Sequence, residues 1–281
     1  MMKKLFIFGM SCFLIFFVLG TLVWFGLEKR GAYLTTLHKT YNKGEVQQMV
    51  VNTDLTDVTF KSGSDFHVDY TGKDGLDVTK QGHTLQIVER NSSKRKMLNL
   101  NPFNTVKSQL EITIPKNQLK NLNVRTQVAN VDVEGITLDH VVIENDMNGQ
   151  VAMRNSHFKH TQVKGYETFI KIKNSQLFDS DISVNKGLIQ ADQTTVRKSI
   201  FKVGKGDITL SMMTPHCDLK GIVDKGDIHM SFQNTPKDVH FKLNPTKGEA
   251  QLINPELHQG INGRGTHQIE LYTNNGDIII E

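Results

Sequence analysis

Two aspartates, Asp207 and Asp227, each follow a Lys-Gly pair and stand 20 residues apart. On stacked strands, about 4.8 Å apart, two such carboxylates would come close. They could then form a cation site, or a paired acid and base acting on a polysaccharide. The same spacing fits turn caps beside Lys205 and Lys225. The chain holds 11 histidines. His157 and His160 are three apart, His140 precedes His160 by 20, and His216 adjoins Cys217. Zinc needs three or four converging ligands, and neighbouring residues on a strand point to opposite faces. These histidines therefore read as surface residues, and no metal or cofactor site is expected. Arg90, Lys94, Arg95, Lys96 and Lys107 form a basic cluster. It could touch anionic wall polymer or lipid headgroups, or be a solvated loop. The glycines of 260–265 lack a following Gly-Lys-Ser/Thr and a strand-to-helix setting, so phosphate binding is not expected there. No His-Glu-x-x-His or Gly-x-Ser-x-Gly occurs, and no catalytic residue is assigned. The single tryptophan, Trp24, lies in the N-terminal segment, which leaves a sugar-cleaving cleft short of aromatic platforms.

The elements that carry these residues repeat. An apolar pair recurs as Val131/Val133, Val151/Met153, Ile170/Ile172, Ile189/Ala191, Ile208/Leu210 and Ile228/Met230, at spacings of 20, 19, 19, 19 and 20. A second column runs Leu138, Phe158, Leu177 and Val196. A third runs Leu122/Val124, Val141/Ile143, Thr161/Val163, Ile182/Val184 and Phe201/Val203. Three apolar columns with one period predict a coil with three inward sides. Alternation of period two makes the sides strands rather than helices. Evenly spaced hairpins in a sandwich are the rival arrangement. Gly149, Gly187, Gly206, Gly226, Gly248 and Gly276 each stand two residues before an inward residue, with Ala129 and Thr168 as exceptions. A tight corner explains them, because glycine reaches positive φ at low cost. Beyond Met230 the spacing stretches to 22 at Ala250 and 28 at Ile278, as expected for terminal coils with insertions or a cap. The final strand needs cover or pairing, because a bare edge is adhesive.

Lys-Gly-Asp-Ile at 205–208 and 225–228, Asn-Gly-Asp-Ile at 275–278, and Leu-Glu-Ile-Thr-Ile-Pro at 110–115 resemble the bacterial "putative adhesin" domain of unknown function. That domain is found in LiaG-like membrane-anchored envelope proteins. The resemblance covers roughly residues 46–281. It implies an extracytoplasmic β-helix, often encoded with envelope-stress regulators, with no established activity and no catalytic motif.

Leu5 to Leu27 contains no charge. As a helix it would span about 34 Å, enough for a hydrocarbon core of about 30 Å. It is longer than a signal-peptide core and lacks a small-x-small cleavage pattern, so an uncleaved anchor is expected. Residues 1–30 carry Lys3, Lys4, Lys29 and Arg30 against Glu28, a balance of +3 out of the chain's +4. The nearly neutral remainder argues against a nucleic-acid partner. The expected layout is a cytoplasmic tail 1–4, an anchor 5–27, a polar stalk 28–45, an N-terminal β region 46–108 with a long loop at 89–108, and β-solenoid repeats over 109–281. The expected fold is all-β, a single-stranded β-solenoid with coils of about 19–20 residues plus one transmembrane helix. The expected protein is single-pass in the cell membrane, with its C-terminal domain extracytoplasmic. It is expected to be a non-enzymatic interaction or scaffold protein of the envelope, tied to stress sensing and acting with another envelope or membrane protein. The alternatives are an adhesin for a host or matrix surface, and a polysaccharide-active enzyme using stacked carboxylates.

Overall fold

The computed structural model describes residues 2–23, 34–73, 75–90 and 107–281. The chain divides near Thr35 into two compact units. The first contains helix α1 (Met2–Val23). Its apolar side chains are exposed around the circumference, with Leu5 at 75% and Phe16 at 73%. A helix apolar on all sides suits lipid rather than a water-facing surface. Lys3–Val23 is long and apolar enough to cross a membrane. Its polar side chains are satisfied internally: Ser11 Oγ donates to the Ile7 carbonyl at 2.9 Å and Thr21 Oγ1 to the Phe17 carbonyl at 2.7 Å. Apolar surroundings require such internal pairing. Trp24 to Leu27, the end of the expected anchor, lie outside the described residues.

The second unit is a β-solenoid. In chain order its strands are β1 (Thr35–Tyr41), β2 (Gln48–Asn52), β3 (Asp57–Gly63), β4 (Phe66–Gly72), β5 (Leu76–Gln81), β6 (Thr84–Glu89), β7 (Gln109–Pro115), β8 (Asn121–Val128), β9 (Val131–Glu134), β10 (Thr137–Arg154), β11 (His157–Lys173) and β12 (Gln176–Phe178). There follow β13 (Ser180–Asp192), β14 (Thr195–Arg197), β15 (Ser199–Lys205), β16 (Ile208–Met213), β17 (Leu219–Lys225), β18 (Ile228–Phe232), β19 (Val239–Pro245), β20 (Ala250–Leu252), β21 (Gly260–Asn262), β22 (His267–Asn275) and β23 (Ile278–Ile280). Successive coils pair in parallel, which rules out the hairpin sandwich, because hairpin partners are antiparallel. Val151 stacks on Ile170, Ile170 on Ile189, Ile189 on Ile208 and Ile208 on Ile228. The second column stacks as Leu138, Phe158, Leu177 and Val196. All of these are buried, and Phe158, Ile189 and Ile228 fully so. The third column is offset by two residues from the sequence reading beyond Thr161: Val163 stacks on Ile182, and Thr161 faces Ser180. Ile182 then meets Phe201.

Three differences from the sequence reading concern the ends. Residues 28–45 are not a stalk throughout. β1 pairs with β4, and Leu37 and Tyr41 pack against the core. The Tyr41 ring meets Phe66 edge-on at 5.6 Å. The 46–108 region is not a separate body either. β2 lies between β6 and β8, and β3 lies between β7 and β9, all in parallel. Of the loop expected at 89–108, Glu89 is the last residue of β6, Arg90, Lys107 and Ser108 lie outside the strands, and residues 91–106 lie outside the described residues.

At the other end the stretched spacing is a change of strand order. Ile228 stacks on Ile278, and Ile278 on Ala250. β22 and β23 therefore slot between the coil of β17 and β18 and the coil of β19 and β20. The final strand is paired on both sides, as its adhesive edge required. The stack is closed off by antiparallel strands. β21 lies on β19, while β4 on β7 and β5 on β6 serve the opposite end. Antiparallel additions thus end the parallel ladder.

Candidate functional site: polar corners and exposed ridge

Glycine builds the corner before the main apolar column. Gly187, Gly206, Gly226, Gly276 and Gly248 have φ of 142°, 122°, 136°, 153° and 143°. A Cβ on Gly206 would strike the Gly187 carbonyl oxygen, and a Cβ on Gly226 would strike that of Gly206. The exceptions at Ala129 and Thr168 are explained by Asn145, which is buried beside them. Its Nδ2 donates to Thr126 Oγ1 and the Ala129 carbonyl, both at 3.0 Å, and its Oδ1 accepts from Thr168 Oγ1 at 3.1 Å. Asn145 thus ties three coils across the two corners that lack glycine, and β10 carries a bulge just after it.

The aspartates that follow the glycines do come into one column, but their work is structural. Asp207 Oδ1 accepts the Asp227 backbone N–H at 2.9 Å, and Asp227 Oδ1 accepts that of Asp277 at 2.8 Å. Asp277 Oδ1 in turn accepts the Glu249 N–H at 2.8 Å. Each carboxylate caps the neighbouring coil's turn rather than its own. At the N-terminal end Asp57 Oδ1 accepts the Asn130 N–H at 2.8 Å in the same way. Each thus links the turns of adjacent coils through one oxygen. Sequence reasoning missed Glu89. It is buried, and its Oε2 accepts the N–H groups of Asp54, Leu55 and Thr56 at 2.6, 3.1 and 3.4 Å. Its place at the end of an alternating strand gave no sign of this nest.

Of the basic cluster, Arg90 and Lys107 are described. Arg90 is ion-paired with Asp77. Its guanidinium holds the Asp77 carboxyl below the usual carboxylate range. Lys107 Nζ stands 4.0 Å from Asp57 Oδ2 and is 72% exposed. Lys94, Arg95 and Lys96 lie outside the described residues. The glycine-rich 260–265 segment is strand β21 followed by a turn. Asp238 Oδ1 fills it by accepting the N–H groups of Arg264 and Thr266, both at 3.0 Å.

The histidines divide. His140 and His160 stack face to face, centroids 4.8 Å apart and planes 14° apart. His160 Nδ1 lies 2.8 Å from Asp179 Oδ2, while His157 lies beside Phe178. The two histidines three apart therefore do not converge. Cys217 is buried, donates from Sγ to the Thr214 carbonyl at 3.0 Å, and has its thiol pKa pushed up by that burial. Among the described residues no group of three or more His, Cys, Asp or Glu is arranged to hold a metal.

One surface feature was not foreseen. Val128, Met147, Tyr166 and Phe169 are exposed by 43%, 52%, 48% and 54%. Val128 is opposite Asn148, which is opposite Glu167, so Val128, Met147 and Tyr166 come from successive coils at one corner. Phe169 follows just past that corner. Lys186 Nζ reaches over the Tyr166 ring at 5.6 Å and pairs with Glu167 at 2.8 Å. The sequence signal was available: these residues fall outside all three inward columns.

Solved structures align with the chain. A "putative adhesin" from Bacteroides fragilis aligns with a TM-score of 0.52 at 14% identity, over 89% of this chain and 98% of its own. A "putative cell adhesion protein" from Clostridium sporogenes aligns over 88% of this chain and 99% of its own, at 13% identity and a TM-score of 0.31. No curated protein matches the chain. The family model described as Toastrack DUF4097 matches residues 46–281, and the chain belongs to that family.

Proposed function

We propose that this protein is a membrane-anchored, extracytoplasmic interaction module of the bacterial cell envelope and works by binding rather than by catalysis. The observation that carries the reading is the commitment of Asp207, Asp227 and Asp277 to backbone groups of neighbouring coils. The carboxylates most suggestive of chemistry hold the solenoid together. α1 is long and apolar enough to anchor it. Its partner in this reading is another envelope or membrane protein, through which a stress-sensing role would be exercised. Anionic wall polymer is a further ligand, met by Lys107 and the basic residues 94–96. A photoreactive crosslinker placed at Phe169 in intact cells tests the reading. Capture of one defined envelope protein is expected. Crosslinks no different from those of a probe at exposed Lys171 would count against it.

The fold neighbour from Bacteroides fragilis favours a second reading, adhesion to a host or matrix surface. It requires the purified chain, reconstituted in liposomes, to adhere to matrix-coated surfaces. Adherence equal to that of empty liposomes would reject it.

A further inference from the structure

Three imidazole pairs stand close together among the described residues, and their geometries differ. His140 and His160 lie nearly parallel, so their in-plane lone pairs do not converge. His38 and His67 both turn toward Asp69, at 2.5 and 3.5 Å, which occupies the nitrogens that face it. The third pair is different. His216 Nδ1 and His267 Nε2 face each other at 3.2 Å, with the rings tilted by 55°. Behind His267, Asp218 Oδ2 stands 3.3 Å from Nδ1. Asp218 is itself fixed, because its Oδ1 accepts the Gln268 backbone N–H at 3.0 Å. With the His267 proton on Nδ1, toward the carboxylate, the Nε2 lone pair faces His216.

Two imidazole nitrogens on one tetrahedral zinc, each at about 2.0–2.1 Å, lie about 3.3 Å apart. A carboxylate that holds the far nitrogen of a ligating histidine is the usual outer-shell support of such a site. We propose that His216 and His267 form a divalent transition-metal site of the zinc type. Asp218 orients His267, and two water molecules complete the four ligands of the tetrahedron. His216 lies in the turn before β17, and His267 opens β22, the strand that slots in from the C-terminal end. The metal would therefore staple the inserted strand to a coil 51 residues earlier. A ligand bound only by the folded state stabilises it in proportion to the logarithm of its concentration over Kd.

The test uses the full chain in detergent, with Zn2+ as the probe. Equilibrium dialysis should show one Zn2+ per chain, and Zn2+ should raise the thermal midpoint. His216→Ala and His267→Ala should each abolish both effects, while His140→Ala keeps them. Asp218→Asn should weaken binding by roughly 10- to 100-fold. Should either alanine variant fail to fold, diethyl pyrocarbonate labelling of the unaltered chain gives the answer: Zn2+ should protect His216 and His267 selectively. No bound Zn2+, or equal binding by His216→Ala, or protection confined to other histidines, would overturn the proposal.

Discussion

Met212 sits at a coil corner with φ of 49°. The equivalent corner positions below it are Gly135, Asn155, Asn174 and Gln193, all left-handed. Asparagine tolerates this region better than most residues, whereas a long side chain there costs roughly 1–2 kcal/mol. Met212→Gly should therefore raise stability by about 1 kcal/mol, read from a denaturant midpoint with unchanged slope. The aspartate ladder makes a sharper case. If Asp227 serves as an acceptor for the Asp277 N–H, Asp227→Asn keeps an acceptor and should cost little. Asp227→Ala should cost about 1 kcal/mol. Equal losses in both variants would mean that charge, not hydrogen bonding, is what the position supplies. Asn145→Ala should cost more, about 2–3 kcal/mol, because it leaves a buried carbonyl and two hydroxyls short of partners.

At the scale of the element, the C-terminal cap should be acid-sensitive. The Thr266 N–H and hydroxyl, with Arg264 nearby, hold the Asp238 carboxyl below its ordinary value. A carboxyl depressed in the folded state contributes stability that is fully present above its unfolded pKa of about 3.9 and is lost as pH falls through the folded value. Hydrogen exchange of β21 and the start of β22 should quicken below that point, and Asp238→Asn should remove the dependence. The inserted strands invite a second experiment. Removing residues 267–281 leaves a gap one coil wide between β18 and β20. Exchange protection should collapse over 219–252 while residues 137–192 keep theirs, as neighbour-by-neighbour stacking requires. Collapse of the whole solenoid would contradict that independence.

The three apolar columns were legible in the sequence because each inward residue is repeated at one period and strand alternation exposes it. The order of the last coils was not. Ala250 and Ile278 fit the same column equally well, and only the pairing of Ile228 with Ile278 decides between them. The two-residue offset at Thr161 and Ser180 was hidden because polar residues carry no inward signal. Of the chemistry-bearing residues, the stacking of Asp207 on Asp227 was visible. Its purpose was not, because the acceptor's partner is a backbone N–H that no side-chain pattern marks.

Over the whole molecule, the near-neutral charge of the solenoid has a structural counterpart. Basic and acidic side chains pair between adjacent coils, as in Arg154 with Asp132 at 2.7 Å, Lys159 with Asp139 at 2.6 Å and Lys242 with Glu270 at 2.7 Å. Such exposed pairs are each worth about 0–1 kcal/mol, so they cancel field more than they add stability. What remains distinctive is an apolar helix at one end of the chain and a solenoid with an exposed ridge of Met147, Tyr166 and Phe169. Placement outside the cytoplasm is the claim on which the envelope function depends. It can be read with one engineered cysteine, because Cys217 is buried and Cys12 lies within α1. Lys171→Cys on an exposed strand face should react with a membrane-impermeant maleimide as fully in intact cells as in permeabilised ones. Labelling only after permeabilisation would place the solenoid inside the cell and contradict the account.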